Sequence, residues 1–359
     1  MANAYQSLAE RLNEIPNGFP PTPNGVEFRL LAKLFSPEEA DLASRLRLSL
    51  ETPEEVAARI GGDPHEIRAQ LKTMAHKGLI RREKREAEIG YGLMPFIVGI
   101  YEFQATTIDP EFARLFEDYY RQAFGVGLNA KPPIHRVIPV GASVRMDMEV
   151  RPFESAADIL GGARSWAVLD CICRKQKALI GQACEHPIEV CLTFSAIPGA
   201  FDHAPGMRVL SLEEAMDTLQ QADEAGLVHT TSNNQKGLWY MCSCCTCSCG
   251  ILRGMADLGI ANVVARSSFV NAVDPERCVG CELCLPSCQF KALSMESQRL
   301  AKVDRQKCVG CGVCASSCPE GALALVLRPE EELQPPPLTL AEWMAARAVA
   351  RGIDLSSVL

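Results

Sequence analysis

Apolar positions between residues 26 and 80 recur at helical spacing and are punctuated by start and stop signals. VEFRLLAKLF and SPEEADLASRLRL read as consecutive amphipathic helices. In TPEEVAARIGG, Thr52 precedes Pro53 and Glu55 stands three residues on, a helix start. DPHEIRAQLKTMAHKGLI repeats the signal with Asp63 before Pro64 and ends at Gly78. IRREKREAEIGYGLMP then predicts two short strands joined by a charged turn. Further on, EFARLFEDYYRQAF is amphipathic, and RVIPV and MDMEVRPF are strand-like. SAADILGG is a helix candidate, and SWAVLDCIC is a buried strand that ends in cysteines. SLEEAMDTLQQADEAG is a well-marked helix, with Ser211 and Glu214 as capping box and Gly226 as stop. LVHTTSN follows as a short strand, and CSCGILRGMADLG is expected to turn into a helix whose first amides favour a nearby anion. After the stiff PEEELQPPPL, the run TLAEWMAARAVARG predicts a last helix, with Thr339 and Glu342 as capping box and Gly352 as stop. Its Trp343 and Met344 look exposed, and packing onto the chain's own body is preferred to docking on another subunit.

Composition changes this picture at one point. The chain has 359 residues and a net charge of -8, which argues against a global affinity for nucleic acid or anionic membrane. No secretory signal opens it, and its best apolar run, GLMPFIVGIY, is too short for a membrane span, so a soluble, cytoplasmic protein is expected. Seventeen cysteines are the outlier: an odd, clustered set suits metal ligation better than a disulfide scaffold.

An internal repeat organises eight of them. VDPERCVGCELCLPSCQFKAL recurs thirty residues later as VDRQKCVGCGVCASSCPEGAL, each copy spaced C-x2-C-x2-C-x3-C. Three thiolates on a tight loop can grip three corners of one iron-sulfur cube, while the fourth, expected to start a short helix, points towards another. Paired zinc sites usually separate two CxxC pairs by a longer loop, and so fit less well. The arrangement resembles the bacterial two-cluster ferredoxins over residues 272 to 327. That resemblance implies one [4Fe-4S] cluster on Cys278, Cys281, Cys284 and Cys318, and a second on Cys308, Cys311, Cys314 and Cys288. Gly280 and Gly310 lie inside the loops, where backbone passes close to the cofactor and positive φ is needed. The proline that follows the fourth cysteine in that family is present as Pro319 but is Gln289 in the first copy, which puts the local loop geometry in question.

Nine cysteines remain: Cys171, Cys173, Cys184 and Cys191, and then Cys242, Cys244, Cys245, Cys247 and Cys249 in MCSCCTCSCG. Adjacent residues project differently, so Cys244 and Cys245 suggest two faces with a centre on each, or one unusual shared cluster. The favoured reading draws ligands for each centre from both stretches and adds one or two further iron-sulfur clusters. Arg174, Lys175 and Lys177 would offset their negative charge. A structural zinc on part of the set, and His186, His203 or His229 as non-thiol ligands, remain alternatives. HTTSNNQKGLWYMCSCCTCSCGILRG, with CICR and CEHPIEVCLTF, resembles a group of bacterial and archaeal 4Fe-4S dicluster proteins that carry a cysteine knot before a ferredoxin module. Ser248 stands where that pattern often has cysteine.

Residues 27 to 90 resemble the winged helix-turn-helix of MarR-like regulators. Twelve Lys and Arg there balance twelve Asp and Glu, yet Arg68, Lys72, Lys77, Arg81, Arg82, Lys84 and Arg85 face only Glu83 between 68 and 85. DNA is therefore a candidate partner, placed behind a redox partner protein such as a reductase or hydrogenase because a neutral module lacks a strong counterion-release drive. The expected fold class is α+β multidomain. It comprises an N-terminal arm (1–26), a winged helix (27–90) and a mixed α/β cysteine-rich middle domain (91–255). A two-cluster ferredoxin fold of ββ with short helices (256–328) and a linker with a docking helix (329–359) follow. The expected function is low-potential electron transfer to or within an oxidoreductase complex. The alternatives are a redox- or iron-responsive regulator and an oxidoreductase with a non-standard active-site cluster. No nucleotide loop or hydrolytic motif supplies a catalytic residue.

Overall fold

The computed structural model describes residues 4–85, 88–202, 204–261, 263–297 and 299–359. The chain divides into two units, Met1–Ala130 with Lys175–Gln182 and Met344–Leu359, and Lys131–Arg174 with Ala183–Trp343. All seventeen cysteines belong to the second, and all are free thiols. No helix among the described residues is long and apolar enough to cross a membrane.

In the first unit, helices Val26–Ala32, Pro37–Ser44, Pro53–Ile60 and Pro64–His76 lead into strands β1 (Arg81–Arg85) and β2 (Glu88–Gly92), paired antiparallel. The tip of the expected charged turn, residues 86 and 87, lies outside the described residues. The starts follow the caps: Thr52 Oγ1 accepts from Glu55 N at 3.2 Å while the Glu55 carboxylate accepts from Thr52 N at 2.8 Å. Ser36 and Glu39 do the same. The basic stripe is largely neutralised from within. Lys77 pairs with Glu39 (2.7 Å), Arg81 with Glu83 (2.6 Å), Arg85 with Glu55 (2.8 Å) and Arg68 with Glu54. Such surface pairs add little stability, but they withdraw positive charge from the face a nucleic acid would meet. Lys177, expected to compensate cluster charge, is engaged by Glu117 (3.4 Å) and Gln182 (2.5 Å). Buried Arg347, on the last helix, donates to Pro16 O at 2.8 Å.

In the second unit, six strands among the described residues form one antiparallel sheet. They are β3 (His135–Ile138), β4 (Ser165–Asp170), β5 (Glu189–Ser195), β6 (Arg208–Leu210), β7 (Val228–Ser232) and β8 (Tyr240–Cys244), in the spatial order β3-β7-β8-β5-β4-β6. Val168, Leu192, Phe194 and Met241 line one face and pack with Ala215 and Leu219 of the helix Leu212–Glu224. Trp343, which looks exposed in the sequence, is buried and donates to Pro133 O at 2.9 Å.

Two expected elements differ. MDMEVRPF is no strand: Arg145 and Asp147 pair across a turn at Met146, and Val144 alone bridges to Leu325. An alternating pattern without a neighbouring strand to pair with does not hold an extended chain. The helix after the cysteine-rich stretch is confined to Arg253–Ala256. Near the C-terminus β9 (Phe269–Val273) pairs with β12 (Leu323–Leu327), and β10 (Leu293–Met295) with β11 (Ala301–Val303). The short helices Cys284–Ser287 and Val313–Ser316 carry the third cysteine of each repeat, and the fourth follows the helix end instead of starting it.

The helix Leu212–Glu224 closes the sheet's apolar face from a capped start, in which Glu214 N donates to Ser211 Oγ and Ser211 N to the Glu214 carboxylate. Ser211→Ala is expected to weaken this end by about 1 kcal/mol, read as faster hydrogen exchange of the first-turn amides. Ser211→Asp should leave exchange close to wild type.

Candidate metal and cluster centres

The thirty-residue repeat persists down to single hydrogen bonds. Asp274 Oδ1 accepts from Glu276 N and Asp304 Oδ1 from Gln306 N, both at 2.9 Å, so each copy opens with the same turn. Cys278 N donates to Asp274 O (3.0 Å) and Cys308 N to Asp304 O (2.9 Å). The fourth cysteines match as well: Ala292 N donates to Cys288 Sγ at 3.2 Å, and Ala322 N to Cys318 Sγ at 3.3 Å.

The fourth cysteines are exchanged between the loops. Cys278, Cys281, Cys284 and Cys318 line one cavity, together with Gly280, Met295 and Leu323. In the other loop burial raises the Cys311 thiol to about 12, with Cys308 and Cys288 as neighbouring cysteines; Cys314 shares both neighbours and also faces Cys284. Cys281 is exposed, whereas Cys308 and Cys314 are buried. Asn271 Nδ2 donates to Cys314 Sγ at 2.9 Å. N–H groups aimed at sulfur stabilise thiolate, the form that iron binds, so the donor set fits cubane iron-sulfur clusters. Gly280 and Gly310 adopt φ of 69° and 73°. A Cβ at Gly310 would lie 2.1 Å from Phe269 O, and at Gly280 2.3 Å from Arg299 O, so neighbouring backbone also demands glycine there.

The other nine cysteines separate into two groups. In β8, Cys242 and Cys244 share one face while Met241 enters the apolar core on the other. The pairing of Leu192 with Met241 brings Cys191 of β5 beside Cys242. Cys171 follows β4 across a bulge and donates its N–H to Ile188 O; Cys173 lies in the helix Ile172–Leu179. Cys249 closes a turn in which its N–H bonds Cys245 O at 3.0 Å. The result is a ring of six neighbouring thiols in the order Cys171, Cys173, Cys249, Cys244, Cys242, Cys191 and back to Cys171. Cys184, Cys245 and Cys247 gather instead with His186. Ser248 Oγ lies 3.4 Å from Cys184 Sγ.

Within the ring the protons are unevenly held. Hydrogen bonds from Cys173 hold Cys171 and Cys249 well below the ordinary thiol range, and bonds to those two thiolates drive Cys173 well above it. Burial works against the Arg174 charge. The Cys171 thiolate, first among the cysteines around it, nevertheless holds the guanidinium above arginine's ordinary value. Arg174 Nη2 donates to Ser243 O (2.8 Å) and Nη1 to Pro187 O (2.9 Å); Nε is buried without a hydrogen-bond partner among the described residues. Six convergent sulfurs beside one guanidinium form a soft donor set of the kind that can hold a metal or cluster.

Histidines divide differently from expectation. His229 bonds Ser243 Oγ (3.1 Å) and Asp223 Oδ1 (2.6 Å), remote from ligand duty, and His203 lies outside the described residues. His135, which the sequence reading passed over, is buried beside Cys249. Its Nδ1 is 3.2 Å from Thr230 Oγ1 and its Nε2 has no hydrogen-bond partner among the described residues. Burial lowers its pKa to about 4, against the pull of the Cys249 thiolate. The available signal was its position opening the apolar run RVIPV. Gln289, a departure from the family pattern in the sequence, joins the two cysteine-rich regions: Thr246 N donates to its Oε1 at 2.7 Å and its Nε2 donates to Gly226 O at 2.5 Å.

Two repeated loops that exchange their fourth cysteine define an iron-sulfur dicluster module. Residues 271–325 match the family described as 4Fe-4S dicluster domain, which indicates iron-sulfur cluster binding by this segment. No curated protein and no solved structure matches the chain.

Gly310→Ala combines backbone strain with overlap on Phe269 O, whereas Gly237→Ala meets strain alone, since nothing lies within 4 Å of its Cβ. Gly310→Ala should lose iron and acid-labile sulfide on anaerobic purification. Gly237→Ala should retain both, with a stability loss of about 1 kcal/mol.

Proposed function

We propose that the protein is an electron-transfer component, with two [4Fe-4S] clusters on the repeat cysteines and a further iron-sulfur centre on the six-thiol ring, relaying low-potential electrons to or within an oxidoreductase complex. Cubane clusters, where bound, exchange single electrons with little rearrangement of their surroundings. The observation that carries the reading is Gln289. It follows Cys288 directly and its side chain grips the backbone of Thr246, between Cys245 and Cys247, so a short covalent and hydrogen-bonded line joins the repeat loops to the other cysteines. The solvent gradient runs the same way: Cys281 is exposed between exposed Val279 and Leu283, which suits encounter with a redox partner protein, while Cys314 and, in the ring, Cys171, Cys244 and Cys249 are buried.

Iron and sulfide counting with reductive titration by electron paramagnetic resonance tests this reading. Two module clusters account for about eight irons; a count no higher sinks the ring centre, and a higher count that falls back to about eight in a Cys242→Ser, Cys244→Ser variant supports it. Gln289→Ala, which removes two hydrogen bonds, should loosen the contact by about 2 kcal/mol. Expected results are faster hydrogen exchange at the Thr246 amide and slower electron exchange between module and ring signals in freeze-quench spectra, at unchanged iron content.

A further inference from the structure

The donors outside the six-thiol ring have a geometry of their own. The sulfurs of Cys184, Cys245 and Cys247 and a ring nitrogen of His186 all lie within 4.8 Å of one another. Sulfurs bound to one tetrahedral zinc at about 2.3 Å stand about 3.8 Å apart, and a sulfur and an imidazole nitrogen about 3.6 Å apart. Cys247 Sγ and His186 Nδ1 are separated by 3.7 Å. Thiolates on different irons of a cubane are further apart than sulfurs on one metal, because an iron-iron edge separates them in addition to two metal-sulfur bonds. The set is thus the right size for one ion and too tight for the corners of a cube.

We propose that Cys184, His186, Cys245 and Cys247 bind a single zinc ion as a closed Cys3His site. Three soft sulfurs, one imidazole and no carboxylate select zinc among the common divalent ions, and four protein donors leave no position for a substrate. The role is structural. Cys245 and Cys247 flank Thr246, whose N–H is held by Gln289, and Cys245 O accepts the Cys249 N–H. Tying both cysteines to the segment 184–186 reinforces a turn that the Gln289 contact and the Cys249 N–H bond already hold. Ser248 takes a supporting place, with its hydroxyl 3.4 Å from the Cys184 sulfur. The assignment stands whether or not the ring binds iron, because it concerns a different metal on different residues.

The test uses the full chain, purified anaerobically, with metals counted by mass spectrometry and the zinc environment read by X-ray absorption. Expected are about one zinc per chain and a shell of three sulfurs at about 2.3 Å with one nitrogen at about 2.0 Å. His186→Ala and Cys247→Ser should lose the zinc and keep wild-type iron and sulfide; Cys281→Ser, in the repeat, should do the reverse. Cys247→His keeps four donors and should retain zinc with a two-sulfur, two-nitrogen shell, which covers the case in which the other variants fail to fold. Absence of zinc from the wild-type protein, an all-sulfur shell, a mononuclear iron in its place, or loss of iron and sulfide on His186→Ala would each overturn the proposal.

Discussion

Two thiolates about 4 Å apart repel by about 4 kcal/mol at the effective dielectric of a protein. A closed ring of six contains several such contacts, so full ionisation would exceed the roughly 5–15 kcal/mol by which a domain is stable. The second unit is built around that constraint. Arg174 is buried among the sulfurs and anchored by the carbonyls of Pro187 and Ser243, so its charge stays where repulsion is greatest. Cys171 and Cys249 carry what anionic character the protein alone supports, each sharing protons with its neighbours. Burial holds His135 neutral next to Cys249, so it does not supply a second fixed cation.

Secondary structure decides how the thiols are distributed. Cys242 and Cys244 are two apart on a strand and must share a face; Met241, just before them, points to the other face and joins the apolar core. β8 ends at Cys244, and Cys245 enters the turn, where alternation no longer applies. Adjacent cysteines can therefore serve different centres although both come from one short run. Antiparallel register then supplies the partners: β5 delivers Cys191 beside Cys242, and the bulge at Leu169 and Asp170 releases the chain in time for Cys171 to return to the same face. Ring and compact site are consequences of where one strand stops.

Much of this was legible in the sequence where the signal is local. Caps at Thr52, Asp63 and Ser211 mark their helices because the satisfying groups lie within three residues. The repeat shows the exchange of fourth cysteines because both copies carry the same spacing and resemble a known module. Adjacency of Cys244 and Cys245 argued for two faces without showing which residues complete each. That needed the order β8-β5-β4, a long-range property that no spacing encodes. MDMEVRPF has strand-like alternation but no neighbour to pair with, and Trp343 looks exposed on a helical wheel until Pro133 O accepts its indole N–H. His135 escaped notice because a histidine opening an apolar run is unremarkable until the fold brings Cys249 beside it.

Gln289 shows how a departure from pattern can be read physically. Proline after the fourth cysteine has no N–H and no polar side chain; its service is to fix the backbone. Pro319 keeps that role in the second copy, where Ala322 N still reaches Cys318 Sγ. In the first copy the equivalent bond from Ala292 to Cys288 survives with glutamine in place, so the loop does not depend on the ring of proline. What glutamine adds is a donor and an acceptor on one amide, and both are used, on Gly226 O and Thr246 N, groups that a proline would leave unmatched. The half-buried carbonyl and amide would then lose a partner each, at a cost of about 1 kcal/mol apiece. The substitution is thus the adaptation of a repeat copy to a neighbour that a free-standing two-cluster ferredoxin does not have.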